Sequence, residues 1–105
     1  MEILYKNTNG VEQFSFGSAT FCNAKCLSFK ETYLRVPYVD YVRARECGTV
    51  TSDDIFTCKL DPNPILVSGL VAVVNVATGA RRIVRRSDLY VREQCDIAAI
   101  APVAE

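Results

Sequence analysis

Histidine and tryptophan are absent from this 105-residue chain, and its five glycines stand far apart. Without histidine, the chain cannot build a Ser-His-Asp triad or a Cys-His pair, which are the usual arrangements for nucleophilic catalysis. The scattered glycines do not form a phosphate-binding loop. We therefore expect a non-enzymatic protein that needs no cofactor.

The chain also lacks a net charge and a long apolar run. Twelve basic residues balance twelve acidic ones, which argues against a protein that coats nucleic acid or membrane with its whole surface. No apolar segment approaches the roughly 20 residues needed to cross a bilayer. The N-terminal residues MEILYKNTNGVEQ lack the pattern of a signal peptide. The sequence thus predicts a cytoplasmic protein with no membrane contact.

Length and composition favour one folded unit. A chain of this size supports one hydrophobic core, so residues 1–105 are expected to form a single domain. Half of the residues are hydrophobic, and turn residues divide them into short apolar segments. This punctuation predicts a structure built mainly from short strands.

Five cysteines are many for a chain of this length. The odd count and the intracellular context predict free thiols rather than a disulfide framework. Cys22 and Cys26 have three residues between them and no second pair nearby, which is poor spacing for zinc, so we expect no metal. A disulfide between these two remains an alternative if the protein meets an oxidant. The five cysteines are Cys22, Cys26, Cys47, Cys58 and Cys95.

The first part of the chain predicts a hairpin and then an ambiguous segment. Asn9-Gly10 separates Ile3 to Lys6 from Val11 to Phe16, and both turn residues tolerate the positive φ of a tight hairpin. Residues 31–47 suit either a strand or a short helix that opens after Pro37 and ends near Gly48. We favour the helix. Its sheet-covering side is expected to consist of Tyr38, Tyr41, Val42 and Arg45, whereas a strand would place Arg43 and Arg45 beside the other arginines.

Residues 70–92, LVAVVNVATGARRIVRRSDLYVR, follow a strand predicted at Ile55 to Leu60 and a stiff Asp-Pro-Asn-Pro turn. They predict a hairpin with a loop at Ala77-Thr78-Gly79 and an outgoing strand that is buried on both faces. This loop pairs Val76 with Ala80, Val74 with Arg82, and Val73 with Ile83. The returning strand has arginine on both faces, which predicts an exposed edge strand.

The end of the chain predicts a tight or 3₁₀ turn at residues 86–89 and a last strand from Tyr90 to Glu93. This order resembles the end of an SH3-like small barrel, at the level of fold only. We expect a mainly β, β-rich α+β fold: a small twisted sheet or a partly open SH3-like barrel with at most one short helix. The apolar terminus is expected to dock on the core or a second subunit through Ile97, Ile100 and Val103.

The charge pattern is uneven along the chain. Five arginines against Asp88 give residues 81–92 a net charge of +4, which is five minus one. Acidic residues gather in the middle of the chain, so we expect a bipolar molecule that guides a polyanion or pairs with another copy. The acidic residues in question are Asp40, Glu46, Asp53, Asp54 and Asp61.

Two binding functions follow from the arginines, besides the interpretation that their stems merely cover an apolar sheet edge. They can form ion pairs with an acidic segment of a protein partner or second subunit. Alternatively, they track the phosphates of single-stranded DNA or RNA while Tyr90 or Tyr38 stacks on bases. Neutral net charge and an exposed edge favour a homodimeric interaction module. The candidate binding residues are Arg81, Arg82, Arg85, Arg86, Arg92 and Tyr90.

Overall fold

The computed structural model describes residues 2–63 and 68–92. This part of the chain forms nine strands and one α-helix, which confirms the expected β-rich fold with at most one short helix. The elements are β1 (Glu2–Thr8), β2 (Val11–Phe16), β3 (Ala19–Asn23), β4 (Tyr33–Arg35), α1 (Tyr38–Cys47), β5 (Thr49–Thr51), β6 (Phe56–Leu60), β7 (Leu70–Asn75), β8 (Arg81–Arg85), a 3₁₀ turn (Arg86–Asp88) and β9 (Leu89–Arg92).

The nine strands form one antiparallel sheet in the order β5-β1-β2-β3-β9-β4-β6-β7-β8. The sheet is open, because β5 and β8 are its two edges in the described part of the chain. Of the two expected architectures, the structure therefore has the open sheet. β9 lies between β3 and β4, so the last described strand occupies the centre.

The first hairpin forms as predicted. Thr8 lies opposite Val11, which leaves a two-residue turn at Asn9 and Gly10. Both turn residues have positive φ, 52° and 83°, as a hairpin turn matched to the strand twist requires.

Helix α1 also forms as predicted, and the strand alternative for Arg43 and Arg45 is wrong. Pro37 is extended at the N-cap, and its carbonyl accepts from the Tyr41 N–H at 2.9 Å. The helix ends at Gly48, whose φ is 90° and whose N–H donates to Ala44. Proline before the first turn and glycine after the last one thus delimit the helix.

The side of α1 that faces the sheet differs from the expected one. Asp40 and Ala44 are buried, whereas the Tyr38 side chain is 66% exposed. Residues four apart share a helix face, and the small Ala44 side chain allows α1 to pack closely on β1 and β5. Of the expected set, Tyr41 alone contributes to the neighbouring core cluster.

Both faces of the sheet centre are buried. Neighbouring residues of a strand point to opposite faces, and Tyr33 and Leu34 accordingly belong to different core clusters. We call the face that carries Leu34 and Tyr90 the helix face, because its cluster includes Ala44 of α1. The other is the loop face, against which Ala24 and Leu27 pack.

The second hairpin has a different register from the predicted one. Val73, not Val74, lies opposite Arg82, and Ala72 lies opposite Ile83. The loop starts one residue earlier because the Asn75 side chain accepts from the N–H groups of Ala77 and Thr78, at 2.8 and 3.1 Å. The correct register places Val71 beside Val84, and both are buried on the loop face.

The remaining predictions for this half of the chain agree with the structure in outline. The predicted strand before the Pro-rich turn, the edge strand and the 3₁₀ turn all form. The outgoing strand is buried on both faces at Val71, Ala72 and Val73, but Leu70 and Val76 are exposed. The expectations for Pro64, for Cys95 and for Ile97, Ile100 and Val103 concern residues outside the described ranges. Within those ranges, no helix has the length and apolar character to span a bilayer.

Candidate interaction edge

Within the described ranges, no strand pairs with the outer edge of β8. Asn75 donates to the Ala80 carbonyl, and Arg86 donates to the Gly69 carbonyl, each at 2.8 Å. Bonded and non-bonded pairs alternate along an antiparallel ladder, so residues 80, 82, 84 and 86 direct their backbone groups toward β7. Arg81, Ile83 and Arg85 therefore point their N–H and C=O groups away from the sheet, where the described residues supply no further strand.

The side chains of the same three residues share the helix face. Lys59 lies opposite Val74, and Val74 lies opposite Arg81, which places Arg81 on the face of Leu34 and Tyr90. Ile83 is 60% exposed between the two arginines, and its neighbour Leu70 is also exposed. β8 thus offers an apolar side chain between two guanidinium groups, together with open backbone groups.

On the loop face, β8 is packed against the protein. Val84 is buried, and the guanidinium of Arg82 lies 5.1 Å from the centre of the Phe56 ring. Arg82 also lies 3.9 Å from the exposed carboxylate of Asp54. Its stem and head are therefore held over the core rather than presented at the open edge.

Arg81 is anchored by a buried carboxylate. Its Nε donates to Asp61, a residue that is itself buried. The Asn63 N–H, at 2.9 Å, and Arg81 keep the pKa of Asp61 below its usual value against the opposing effect of burial. The Arg81 side chain is nevertheless 66% exposed, so its other N–H groups are accessible to a ligand.

Two acidic residues of the middle segment thus lie against the arginine hairpin of the same chain. Asp61 pairs with Arg81, and Asp54 pairs with Arg82. These contacts partly neutralise the hairpin. The expected separation into an acidic and a basic end is wrong for these two acids. Asp54 lies in the turn before β6 and Asp61 in the turn after it, and both turns contact β8.

Arg86 and Arg92 do not join the edge. Arg86 donates to the Lys25 carbonyl at 3.0 Å, which ties the 3₁₀ turn to the loop after β3. Arg92 lies opposite Phe21 of β3 and is separated from β8 by β4, β6 and β7. At about 4.8 Å per strand, four strand spacings put the backbones of Arg92 and Arg81 roughly 19 Å apart.

Tyr90 is a core residue, which corrects its assignment as a surface for stacking bases. It is 6% exposed. Its ring packs edge-on against Phe14 at 4.9 Å and stacks on Tyr41 at 6.4 Å. Burial raises the pKa of Tyr90 above its usual value. The residue follows Leu89 into the central strand β9, a position that its place near the end of the sequence did not indicate.

The sequence interpretation missed an ion pair between the partly buried Arg35 and the buried Asp88. The Arg35 Nε lies 3.8 Å from the Asp88 carboxylate, and this buried Nε has no hydrogen-bond partner among the described atoms. Burial raises the pKa of Asp88, while the charges of Arg35 and Arg85 oppose the rise. The Asp88 carbonyl accepts from the Val36 N–H at 2.9 Å. This pair joins β4 to the 3₁₀ turn that follows β8.

The four cysteines of the described ranges lie apart from the β8 edge. Cys26 and Cys47 are exposed thiols, so the Cys22–Cys26 disulfide is not formed in the structure. Burial raises the pKa of the Cys58 thiol to about 12. In the described ranges, no group of three or more Cys, Asp or Glu side chains is arranged to hold a metal ion.

A groove of about 620 Å³ lies where β2, β3 and β9 meet the loop after β3. Its lining includes Val11, Cys22, Lys25, Cys26, Glu31 and Val91. The sequence analysis considered Cys22 and Cys26 only for a disulfide or a metal site and predicted no groove in this region. Comparison of the chain with protein families, curated proteins and solved structures finds no match.

Proposed function

We propose that this chain is a non-enzymatic protein-interaction module that binds an extended segment of a partner at the open edge of β8. The outward backbone groups of Arg81, Ile83 and Arg85 carry this proposal. A peptide that adds a strand to a sheet gains affinity from main-chain hydrogen bonds and specificity from alternate side chains. The buried carboxylates support a structural rather than a catalytic role, because Asp40, Asp61 and Asp88 each lie beside an arginine.

The sequence predicts that the partner is a second copy of the chain. The arginines of β8 disfavour such self-association at this edge. Antiparallel pairing of two β8 strands about Ile83 places Arg81 of one copy opposite Arg85 of the other. Like charges directly opposite each other destabilise a strand pair, and charged edge strands commonly prevent such pairing. We therefore propose a different chain as the partner, and light scattering on the purified protein tests the homodimer.

Nucleic-acid binding is the alternative, supported by the exposed arginines of β8. Two observations weigh against it. Asp54 and Asp61 partly neutralise the hairpin, and Tyr90 is buried. Binding of single-stranded RNA that weakens steeply with salt, by roughly one unit of log-log slope for each phosphate neutralised, would favour this alternative.

The exposed thiols Cys26 and Cys47 suit a reducing compartment, and we propose that the protein is cytoplasmic.

Proline substitution at Ile83 tests strand addition. The Ile83 N–H points away from β7, so Ile83→Pro removes a donor from the open edge and leaves the β7–β8 ladder intact. Ile83→Ala is the matched control, because it keeps the N–H. The probe is the fluorescently labelled peptide GTETVTETG with both termini blocked. Fluorescence anisotropy measures its binding to each protein.

We expect the natural protein and Ile83→Ala to bind this peptide, and Ile83→Pro to bind it at least about tenfold more weakly, since it loses main-chain hydrogen bonds. Circular dichroism and thermal unfolding establish that all three proteins are folded. Equal binding by the proline and alanine variants would overturn strand addition at β8. Failure of the natural protein to bind both this peptide and its glutamine counterpart GTQTVTQTG would also overturn it.

A further inference from the structure

The side-chain pattern of β8 on the helix face is symmetric. Arg81, Ile83 and Arg85 occupy alternate positions, so adjacent members are about 6.7 Å apart along the strand. The outer positions are cationic and the middle one is apolar. A strand added to this edge would place one side chain opposite each of the three.

The two arginines retain binding capacity. Arg85 has an exposed side chain, and its positive charge also acts on the Asp88 carboxylate. Arg81 uses Nε for Asp61, which leaves the rest of its guanidinium accessible. Carboxylates suit these groups, because a guanidinium can donate two parallel hydrogen bonds to one carboxylate.

The position opposite Ile83 on an added strand favours an apolar residue. Ile83 is largely exposed, with Ala72 opposite it and exposed Leu70 diagonal to it. A β-branched side chain on an added strand would cover Ile83 and remove apolar surface from water. The loop face of β8 contributes little to recognition of a partner. Arg82 is held there by Phe56 and Asp54, and Val84 is buried.

We infer that the segment bound by β8 is an acidic peptide strand with carboxylates at two positions four residues apart and an apolar residue midway between them. This inference rests on the proposed strand addition. The Arg-Ile-Arg pattern is the same in both directions, so it accommodates a parallel or an antiparallel segment. The acidic partner also explains why an edge that repels its own copy can accept another chain.

Three peptides of equal length test the pattern. GTETVTETG has the acids and valine on one face of a strand. GTTEVETTG has the same composition, but its acids lie on the face opposite valine. GTQTVTQTG replaces the acids by glutamine. We expect the first peptide to bind about tenfold more tightly than either control, as two favourable cross-strand charge pairs predict.

Two protein variants complete the experiment. Arg85→Glu should weaken binding of GTETVTETG about tenfold by repulsion of its acids. Arg92→Glu makes the same charge change four strands away, and it should alter affinity by less than about twofold at physiological salt. Both variants are checked for folding by circular dichroism.

The outcomes separate the two proposals. If GTQTVTQTG binds as well as GTETVTETG and Ile83→Pro abolishes both, strand addition stands and the acidic pattern is wrong. If GTTEVETTG binds as well as GTETVTETG, or if Arg92→Glu weakens binding as much as Arg85→Glu does, charge alone drives binding and the pattern is again wrong. Salt-sensitive binding of a single-stranded RNA 10-mer more tightly than any peptide would replace the acidic peptide by a polyanion.

Discussion

The Tyr41 hydroxyl of α1 donates a hydrogen bond to the Glu12 carboxylate of β2. The same carboxylate accepts from the Tyr5 hydroxyl at 3.0 Å and lies 3.8 Å from the Arg45 Nε. The Arg45 guanidinium lies 5.7 Å from the centre of the Tyr41 ring. One carboxylate therefore joins the helix to the first hairpin, at the margin of the aromatic cluster that contains Phe14 and Tyr90.

We predict that Tyr41→Phe lowers the free energy of unfolding by about 1–2 kcal/mol, because it removes a hydrogen bond to a partly buried carboxylate. Urea denaturation followed by circular dichroism measures the change. Tyr38→Phe is the matched control on the same helix, since Tyr38 is exposed. An equal effect of both substitutions would show that the Glu12 contact does not stabilise the helix.

We also predict that stability falls as the pH rises from about 10 to about 12. Burial, followed by the hydrogen bond to Glu12, raises the pKa of Tyr41 from 10.0 to about 12. Above pH 10 the unfolded chain has lost the tyrosine proton while the folded protein keeps it, so each added pH unit favours unfolding. Urea midpoints across this range measure the effect, and Tyr41→Phe should make them less dependent on pH. An unchanged slope in that variant would contradict the assignment to Tyr41.

The buried position of Tyr90 gives a third prediction. Tyr90→Ala should lower the free energy of unfolding by about 3–5 kcal/mol, as truncation of a large core aromatic does. Tyr38→Ala should change it by less than about 0.5 kcal/mol, as is usual for an exposed residue. Urea denaturation distinguishes these values. A small loss for Tyr90→Ala would restore Tyr90 as a candidate surface for ligands.

The Arg35–Asp88 pair gives a fourth prediction. Burial raises the pKa of Asp88, and Arg35 is the main charge that opposes the rise. Arg35→Met should therefore raise the pKa of Asp88 further, which carboxyl NMR titration of the folded protein measures. Since the pKa of Asp88 is raised on folding, its contribution to stability is present below pH 3.8 and is lost as the pH rises through the folded pKa.

The control for this titration is Arg92→Met, which removes an arginine that lies across the sheet on β9. We expect it to leave the titration of Asp88 unchanged. Equal shifts in the two variants would mean that the net charge of the protein, rather than the neighbouring Arg35, sets the pKa of Asp88.

Several elements have local causes that the residue pattern alone shows. Asn9-Gly10 specified a hairpin because both residues adopt positive φ at low cost. Pro37 and Gly48 marked the bounds of the helix, because proline suits the start of a helix and glycine readily ends one. The residues between them left a strand open as the alternative. Arginines on both faces marked β8 as an edge strand, since neither face could be buried without desolvating a guanidinium.

The contacts between these elements depend on the folded chain. Sequence position indicated neither that β9 lies between β3 and β4 nor that Tyr90 is consequently buried, because strand order depends on pairings between distant residues. The register of the second hairpin depended on the Asn75 side chain, and a shift of one residue changes which face each partner occupies.

The candidate site divides in the same way. The sequence identified Arg81, Arg82 and Arg85 as exposed residues of one strand, because arginine on both faces of a short segment is a local property. Only the structure separated them into Arg81 and Arg85 on the open helix face and Arg82 over Phe56. It also placed Arg92 on β9, away from β8, and Tyr90 in the core. The physical reason is that an antiparallel sheet fixes faces and neighbours through pairings that only the folded chain contains.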